Sequence, residues 1–401
     1  MNITGIITEY NPFHNGHLYH LTEAKKNTNC DAVICIMSGN FVQRGGPAIV
    51  DKWQRTEMAL NNGVDLVIEL PTYYAVSSAE FFAKGAVSIL NNLGVVNNLF
   101  FGSECGDVNK LTTIAKTLVD EDSKLKYIIK ENLAKGETFA KAREKALISY
   151  LNNEDLNEIL TSSNNILGIE YIKSIIRMNS NIKPFTLKRE GSNYNDKFLS
   201  NSFSSATSIR ELLKQKASIE SLKDSIPKES YEVLNNLYNN SYPFVFDEDM
   251  FKFIKYKLQT NCINFNNLYE IIEGLENKLL KEISSSNSYE EFILNIKSKR
   301  YTYSKISRIL THIYIGLDSD SFLNIDDTNN LYARVLGFNK KGREILSLIK
   351  RNSSIPLITK IPRFSDNPLL KLDIQATAAY SILNNKLNPN SDYLISPLIK
   401  Y

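Results

Sequence analysis

Short apolar runs alternate with longer amphipathic segments through the first 190 residues of the chain. The apolar runs fall at residues 3–8, 31–37, 65–70, 98–104 and 182–189. The run at 31–37 is continuously apolar, as is typical of a strand buried on both faces of a parallel sheet. The alternation therefore predicts an α/β fold, in which helices connect the parallel strands.

The helices between these strands are predicted from their periodicity and from residues that favour helix ends. They lie near residues 16–26, 51–61, 77–91 and 164–179, with a further helix start at 205–213. Asp51 is a suitable N-cap, because its carboxylate accepts backbone N–H groups. Residues 107–160 look helical and highly charged, and we expect them to form an insertion or a layer on the sheet.

The strand pattern fades beyond residue 216. Residues 217–350 carry mainly amphipathic helical patterns, and residues 351–401 are rich in proline and asparagine with no dominant period. We therefore predict two domains, an α/β domain at 1–215 and a mainly helical domain with an irregular tail at 216–401. A chain of 401 residues is long enough for more than one hydrophobic core.

Composition narrows the class of protein without identifying a function. The net charge of +3 is too small to indicate nucleic-acid binding, although it is compatible with a local basic patch. The four cysteines have neither CxxC pairing nor zinc spacing, so we expect reduced thiols in a cytoplasmic protein. The first residues do not resemble a signal peptide, and no apolar stretch is long enough to span a membrane.

Residues 9–17, EYNPFHNGH, are the most informative segment and contain two of the four histidines. A strand, a tight turn and a helix N-terminus together attract anions through exposed N–H groups and the helix dipole. His14 and His17 would add hydrogen-bond donors for a phosphoryl group, although two solvated surface histidines are the ordinary alternative. Metal binding by His14, His17 and His20 also stays open, but the first and third would point about 240° apart on an ideal helix.

Three further segments follow predicted strands, whose carboxyl ends are where parallel sheets bind ligands. Residues 204–210, SSATSIR, place hydroxyl groups and Arg210 at a helix start, which suits phosphate groups or a simple N-cap. Gly102 either admits a ligand close to the backbone or forms an ordinary turn. The glycine-rich loop at 37–47, with Asn40 and Arg44, is either a substrate-anion site or a mobile surface loop.

Several of these segments together resemble one known family. HNGH at 14–17 resembles the HxGH signature of the nucleotidyltransferase superfamily, and SSATSIR resembles its second signature. With MSGNFVQRGGPAIVDKWQR, DLVIELP, FGSE, NNILGIEYI and the segments at 299–308 and 332–338, the chain resembles the bacterial tRNA(Met) cytidine acetate ligase family over nearly its whole length. The resemblance implies a Rossmann-like nucleotidyltransferase catalytic domain at 1–215, followed by a tRNA-binding domain at 216–401.

The resemblance implies an ATP-dependent ligase that forms acetyl-adenylate and then acetylates N4 of the wobble cytidine of elongator tRNA(Met). ATP with Mg²⁺ on its phosphates is the implied cofactor, and acetate is the second substrate. The implied catalytic residues are His14, His17, Ser205, Thr207 and Arg210. The implied ATP contacts are Ile7, Thr8, Glu9, Tyr10, Asn11, Pro12, Phe13, His14, Asn15, Gly16, His17, Leu18, Tyr19, His20, Gly102, Asn164 (or Asn165 in the alternative register) and Arg189.

Residues 297–308 are basic and contain two tyrosines, Tyr301 and Tyr303. If they form one helix, four of the basic residues fall within about 140° on one face, with apolar residues opposite. Such a face suits phosphate binding, although a solvated helix face is the common alternative. Given the resemblance, we predict tRNA contact, with one of the tyrosines stacking on a base. The predicted tRNA- and substrate-binding residues are Asn40, Arg44, Lys297, Lys299, Arg300, Lys305 and Arg308.

Two other functions remain compatible with the motifs. A small-molecule adenylyltransferase, making a cofactor or a nucleotide-linked precursor, would share the first domain, but such enzymes are usually shorter and need no RNA-binding half. A non-catalytic RNA-binding protein on a decayed nucleotidyltransferase domain is disfavoured by the intact motif residues His14, His17, Ser205, Thr207 and Arg210. A short acid other than acetate is a further open alternative.

Overall fold

A computed structural model describes residues 1–153, 155–189, 206–215, 218–260, 262–265, 268, 270–271, 274–317 and 330–401. One eight-stranded sheet organises these residues, in the order β5-β4-β1-β2-β3-β6-β7, with β8 also paired to β6. The strands are β1 Ile3–Thr8, β2 Ala32–Ser38, β3 Leu66–Leu70, β4 Asn98–Ser103, β5 Lys183–Lys188, β6 Ala333–Phe338, β7 Leu357–Ile358 and β8 Leu398–Ile399.

The five predicted strands are confirmed and pair in parallel with one another. From β1 the chain proceeds to β2 and β3 on one side, and it then returns to β4 on the other side of β1. The strand order therefore reverses between β1 and β4. In open α/β sheets, a ligand crevice forms at such a reversal, outside the carboxyl ends of the strands.

The predicted helices are present, and the helical character of residues 107–160 and of much of the second half is confirmed. In the first half they are α1 Asn15–Thr28, α2 Lys52–Asn61, α3 Thr72–Ala75, α4 Ala79–Asn92, α5 Val108–Asp120, α6 Ser123–Ala134, α7 Phe139–Leu151, α8 Leu156–Thr161, α9 Ser163–Arg177 and α10 Ala206–Lys214. In the second half they are α11 Lys228–Asn239, α12 Asp247–Gln259, α13 Leu275–Ser285, α14 Tyr289–Ile296, α15 Tyr303–Ile315, α16 Lys340–Asn352, α17 Pro368–Leu383 and α18 Ser391–Leu394, with a 3₁₀ turn at Ile219–Leu222.

The two faces of the sheet are covered by different helices. Ile34 and Ile36 of β2 pack into the cluster that contains apolar residues of α4, α5 and α9. Val33, Cys35 and Met37 of the same strand point to the other face, where α1, α2, α10 and α11 contribute. Because side chains alternate along a strand, a continuous apolar run is what a doubly covered strand requires.

Three strands beyond residue 216 were not predicted. β6 pairs antiparallel with β3, and β7 and β8 pair in parallel with β6, so all three extend the same sheet. Residues 297–308 do not form one helix, so the condition on which the basic face depended is not met. Residues 297–302 form a turn, and α15 begins at Tyr303 with Thr302 as its N-cap. The division into domains at residue 215 stays a prediction.

A buried ionic network joins β6 and α18 to the first half of the chain. Lys52 of α2 lies 2.7 Å from Glu69 of β3 and 2.8 Å from Asp392 of α18. Arg334 of β6 lies 3.0 Å from Glu69 and 2.8 Å from Asp392. Two cations and two carboxylates thus alternate in a ring of contacts. Their mutual attraction offsets the large desolvation free energy of burying each charge alone.

Candidate functional site

The turn between β1 and α1 lies at the reversal of strand order. Buried aromatic side chains pack against it. Tyr10 adopts a left-handed conformation with a φ of 47°, and the following Asn11–Pro12 peptide is cis. The rings of Tyr10 and Phe13 are fully buried, with their centroids 4.5 Å apart. The Asn11 amide oxygen also accepts the Ile49 N–H at 2.8 Å, so the turn is fixed to the neighbouring loop.

His14 and His17 cap the N-terminus of α1 reciprocally. The Nδ1 atom of His14 accepts the N–H of Gly16 at 3.0 Å, and the Nδ1 atom of His17 accepts the N–H of His14 at 3.3 Å. The two ring centroids lie 3.8 Å apart, with an angle of 31° between the ring planes. This is a capping box in which imidazoles replace the usual hydroxyl and carboxylate groups. The two imidazoles therefore lie on the first turn of α1, as the sequence predicts.

Both imidazoles are neutral at pH 7. Burial lowers the pKa of His14 to about 4, with further lowering by Arg189 and Arg210. Burial also lowers the pKa of His17 well below its ordinary value, and the adjacent histidines and Arg189 add to this, against a smaller opposing effect of the Pro12 carbonyl. Since each Nδ1 atom accepts a backbone N–H, the neutral rings carry their protons on Nε2. A neutral imidazole protonated on Nε2 can donate a hydrogen bond to a phosphate oxygen without itself being charged.

Arg210 of α10 connects the second motif to this turn. Its guanidinium donates to the Asn11 carbonyl at 2.8 Å and to the Thr207 hydroxyl at 3.1 Å. Burial lowers the pKa of Arg210, and the nearby carboxylates of Glu9 and Asp247 oppose this shift. Ser205, the third predicted catalytic residue of this motif, lies outside the described residues.

Arg189 approaches the histidines from the other side of the crevice. A Cβ atom on Gly102 would lie 3.3 Å from Cγ of Arg189, so the side chain of Arg189 lies close against this glycine. Arg189 lowers the pKa values of all three histidines of the segment, and burial together with Arg189 brings the pKa of His20 to about 4. The structure thus brings Gly102, Arg189 and the histidines close together. All of them are predicted ATP contacts, and that role stays a prediction.

The two candidate asparagines at the start of α9 have different environments. The Glu104 carboxylate accepts the backbone N–H groups of both residues, at 3.1 Å for Asn164 and 2.8 Å for Asn165. The side-chain oxygen of Asn165 accepts the Cys105 N–H at 3.1 Å, and Asn165 is buried. Asn164 is half-buried, and its amide donates to Glu104 at 2.7 Å. Asn164 is the more accessible of the two, and its contact with ATP stays a prediction.

Sequence reasoning missed Arg55, a fully buried residue of α2 that connects the ends of two strands. Its guanidinium donates to the carbonyls of Glu9, at 2.8 Å, and of Ser38, at 3.0 Å, and also to that of Gly39. These carbonyls follow or end β1 and β2, so Arg55 fixes the spacing of the loops that surround the crevice. The segment containing Arg55 was part of the family resemblance, but nothing local distinguishes it from a surface arginine of an amphipathic helix.

The loop after β2 is packed against the helical half, which argues against the alternative of a mobile surface loop. The N–H of Gly46 donates to the Thr311 hydroxyl of α15 at 2.7 Å. Asn40 is buried, and its amide joins the Lys52 N–H, at 2.9 Å, to the Thr377 hydroxyl, at 3.2 Å. Arg44 is exposed and close enough to Arg210 to lower the pKa of that residue. Asn40 therefore organises the loop, whereas Arg44 remains available to a substrate.

The predicted RNA-contacting residues divide into two groups. Lys297, Lys299 and Arg300 are exposed in the turn before α15, and we call these three residues the basic turn. Arg308 does not lie on an exposed face: it is buried, and its guanidinium lies 3.4 Å from the Glu270 carboxylate. Lys305 is half-buried, with its ammonium group 5.0 Å from the centre of the Tyr301 ring.

The two tyrosines also differ. Tyr301 is 7% exposed, whereas Tyr303 is 38% exposed, so Tyr303 is the one with an accessible ring face. The predicted inward packing of α15 is confirmed, since Ile306, Ile309 and Leu310 are buried. Tyr303 is therefore a partly exposed aromatic residue at the start of a helix that is packed firmly against the core.

The described part of the chain offers neither a ready metal centre nor a membrane-spanning helix. No group of three or more His, Cys, Asp or Glu side chains there is placed to hold a metal ion. His14 and His17 use their Nδ1 atoms within the helix cap, so neither Nδ1 atom is available as a ligand.

None of the described helices combines the length and apolar character that crossing a bilayer requires.

Comparisons with known proteins agree over the full chain. Residues 1–393 match the family described as HIGH Nucleotidyl Transferase. A tRNA(Met) cytidine acetate ligase of Clostridium novyi (strain NT) is 51% identical over 99% of both chains, and one of Clostridium tetani (strain Massachusetts / E88) is 49% identical over 100% of both. The solved structure of Thermotoga maritima TmcAL bound with alpha-thio ATP is 37% identical, with a TM-score of 0.91, and covers 100% of this chain and 99% of its own. Its apo form I gives 36% identity, a TM-score of 0.92 and the same coverage.

Proposed function

The chain belongs to the HIGH nucleotidyltransferase family and, within it, to the tRNA(Met) cytidine acetate ligases, and we propose that it transfers acetate to tRNA through an acetyl-adenylate. In the first step, an acetate oxygen attacks the α-phosphorus of ATP and pyrophosphate leaves. In the second step, N4 of the wobble cytidine of elongator tRNA(Met) attacks the acetyl carbon and AMP leaves.

The site suits the first step because it supplies donors and charge where the phosphates must lie. The Nε2–H groups of His14 and His17 are the proposed donors to the α-phosphate, whose negative charge is redistributed in the transition state. Arg189 and Arg210 flank them and offset the charge of the triphosphate. The N-terminus of α1 adds its dipole at the same place. Catalysis here consists of positioning the reactants and stabilising charge.

We expect Mg²⁺ to enter with ATP rather than to occupy a protein cage. Mg²⁺ commonly retains several waters and binds nucleotide phosphates with one or two carboxylates. The described residues contain no preformed cluster of such ligands, which fits a metal carried by the phosphates. The metal would draw electron density from the leaving pyrophosphate, while this chain's own residues hold the α-phosphate and the adenosine.

The helical half suits the second step. The basic turn is exposed, and Arg44 is exposed on the loop between this half and the crevice. Lysine and arginine side chains in such positions bind a phosphate backbone without reading its sequence. We propose that the basic turn holds the tRNA while its cytidine enters the crevice beside Arg44 and Arg210.

The observation that carries this proposal is the reciprocal cap of His14 and His17 beside two arginines. The decisive experiment incubates the purified protein with ATP, Mg²⁺, labelled acetate and bulk tRNA, followed by nucleoside analysis. Labelled N4-acetylcytidine, formed only when ATP and acetate are both present, is the expected product. Labelled acetate that reaches no tRNA nucleoside, together with adenylation of an added small molecule, would instead support a small-molecule adenylyltransferase.

A further inference from the structure

One carboxylate of the helical half, that of Asp247, is close enough to Arg210, the proposed catalytic arginine, to raise the pKa of that residue. Asp247 is the first residue of α12 and is half-buried. A Cβ atom on Gly46 would lie 2.1 Å from its Oδ1 atom, so the carboxylate is seated directly against the loop after β2. Gly46 has a φ of 107°, a conformation that suits glycine. The loop thus approaches α12 closely enough to place this carboxylate beside the site.

The neighbouring acidic residues of α12 have hydrogen-bond partners that explain their presence. The Asp249 carboxylate accepts the Phe246 N–H at 2.8 Å and so caps the helix. The Glu248 carboxylate accepts the Tyr289 N–H at 3.0 Å and so connects α12 to α14. Among the described residues, the Asp247 carboxylate accepts no hydrogen bond. An acceptor that is half-buried, unsatisfied by that part of the protein and next to a reaction site is available to a substrate.

The charges around Asp247 connect the crevice to the RNA-binding side. The groups that face it are Arg210 and Lys214 of α10, Glu248 and Asp249 of its own helix, Tyr289 of α14 and Tyr303 of α15. Burial raises the pKa of Asp247 to about 6, although Arg210 and Lys214 oppose the shift. The carboxylate is therefore mainly ionised at pH 7 and basic enough to accept a proton.

We propose that Asp247 accepts a hydrogen bond from the 4-amino group of the target cytosine and takes its proton during acetyl transfer. This inference rests on the proposed function. A carboxylate is the side chain that suits the amino group of cytosine, which is a donor. Tyr303, whose partly exposed ring is near Asp247, provides a face on which the base can stack.

The step balances as a simple acyl transfer. The lone pair of N4 attacks the acetyl carbon, and the new N4–C bond replaces the bond between that carbon and the phosphate oxygen of AMP. The AMP oxygen leaves with the electron pair of the broken bond, and the Asp247 carboxylate receives one proton of the amino group. The amine of cytosine is a weak nucleophile because its lone pair is delocalised into the ring, so removal of this proton favours the forward reaction.

The test compares Asp247→Asn with the original protein in two separate reactions. Acetate-dependent exchange of pyrophosphate into ATP measures adenylation, and we expect the variant to retain it within about tenfold, because Arg210 keeps its hydrogen bonds to Asn11 and Thr207. Single-turnover transfer of acetyl from preformed acetyl-adenylate to tRNA should fall by about 10²–10⁴-fold, the usual contribution of a general base. The tRNA dissociation constant should change by less than about tenfold, because the amide oxygen of the variant can still accept one hydrogen bond from the base.

Two further variants and a pH profile separate catalysis from structure. Asp247→Glu should recover part of the transfer rate, while Asp366→Asn, a change at an exposed acid in a loop, should leave both reactions unaltered. In the original protein the transfer rate should rise with pH through about 6 and then level off, and this rise should disappear in Asp247→Asn. Transfer within threefold of the original rate in Asp247→Asn would overturn the inference. Failure of pyrophosphate exchange in the unaltered protein would instead contradict the proposed function.

Discussion

Replacement of His17 tests whether the paired imidazoles act in catalysis or only in folding. The two nitrogen atoms of this imidazole have separate roles. Its Nδ1 atom accepts the His14 N–H at 3.3 Å and completes the helix cap, and its Nε2–H is the proposed donor to the α-phosphate. His17→Ala removes both tasks, whereas His17→Gln restores an acceptor at the N3 position, where glutamine commonly completes a capping box.

The expected magnitudes of the two effects differ. Removing the acceptor leaves one backbone donor unpaired, which should lower the free energy of unfolding by about 1–2 kcal/mol. Removing one donor to a developing oxyanion should slow adenylation by about 10²–10³-fold, equivalent to about 2.7–4 kcal/mol of transition-state stabilisation. His17→Gln should therefore recover most of the stability and little of the rate.

The assays are urea unfolding for stability and acetate-dependent pyrophosphate exchange for adenylation, with tRNA binding as a control. Binding of tRNA should be nearly unchanged in both variants, because the basic turn lies on the other half of the chain. Exchange within threefold of the original rate in His17→Ala would refute the catalytic assignment. Parallel recovery of rate and stability in His17→Gln would mean that the cap, rather than the imidazole, is what the reaction requires.

Three other predictions concern pH, the buried ions and the RNA-binding side. The pKa of His14 is about 4 in the folded protein and near 6.5 in the unfolded protein. The unfolded state therefore takes up more protons, and the free energy of unfolding decreases as the pH is lowered below about 6.5. The free energy of unfolding should decrease by about 2 kcal/mol more between pH 7 and pH 5 in the original protein than in His14→Asn, as measured by urea titration. Arg334→Met should lower the free energy of unfolding by about 3–5 kcal/mol, since it leaves buried carboxylates uncompensated, whereas Lys145→Met at an exposed pair should cost less than about 1 kcal/mol. Alanine at all three positions of the basic turn should reduce the slope of log K against log salt for tRNA by about 0.7–0.9 for each phosphate that is no longer neutralised, and an unchanged slope would exclude the turn from the interface.

The elements that could be predicted from sequence are those whose signals are local. Each of the first four strands is a short, mainly apolar run that is almost wholly buried, whereas β5 is a partly exposed edge strand. The cap of α2 by Asp51 is an interaction between near neighbours, at 2.8 Å from the Trp53 N–H. The histidine pair was likewise identifiable, because both residues lie within one turn of a helix start. Local spacing therefore specified most of the catalytic half.

The features that escaped prediction depend on contacts between distant parts of the chain. β7 and β8 are two residues long, which is too short for any period, and β6 contains Arg334, which is buried only because Glu69 and Asp392 pair with it. Arg308 follows helical spacing onto the basic face, but Glu270 covers it in the folded chain. The sequence alone does not distinguish a buried charged residue from an exposed one, because the difference depends on partners that are distant in the chain.

The same long-range contacts explain why adenylation and transfer belong to one folded unit. The loop after β2, which borders the crevice, is anchored to α15 through Gly46 and Thr311. The ionic network then joins β3 to β6 and α18, so the sheet that carries the histidines is completed by strands from the far end of the chain. A reactive acetyl-adenylate formed on one half is therefore held against a surface made by the other half. If Asp247 lies at the acceptor site as we propose, the intermediate forms next to that site and can react before it diffuses away.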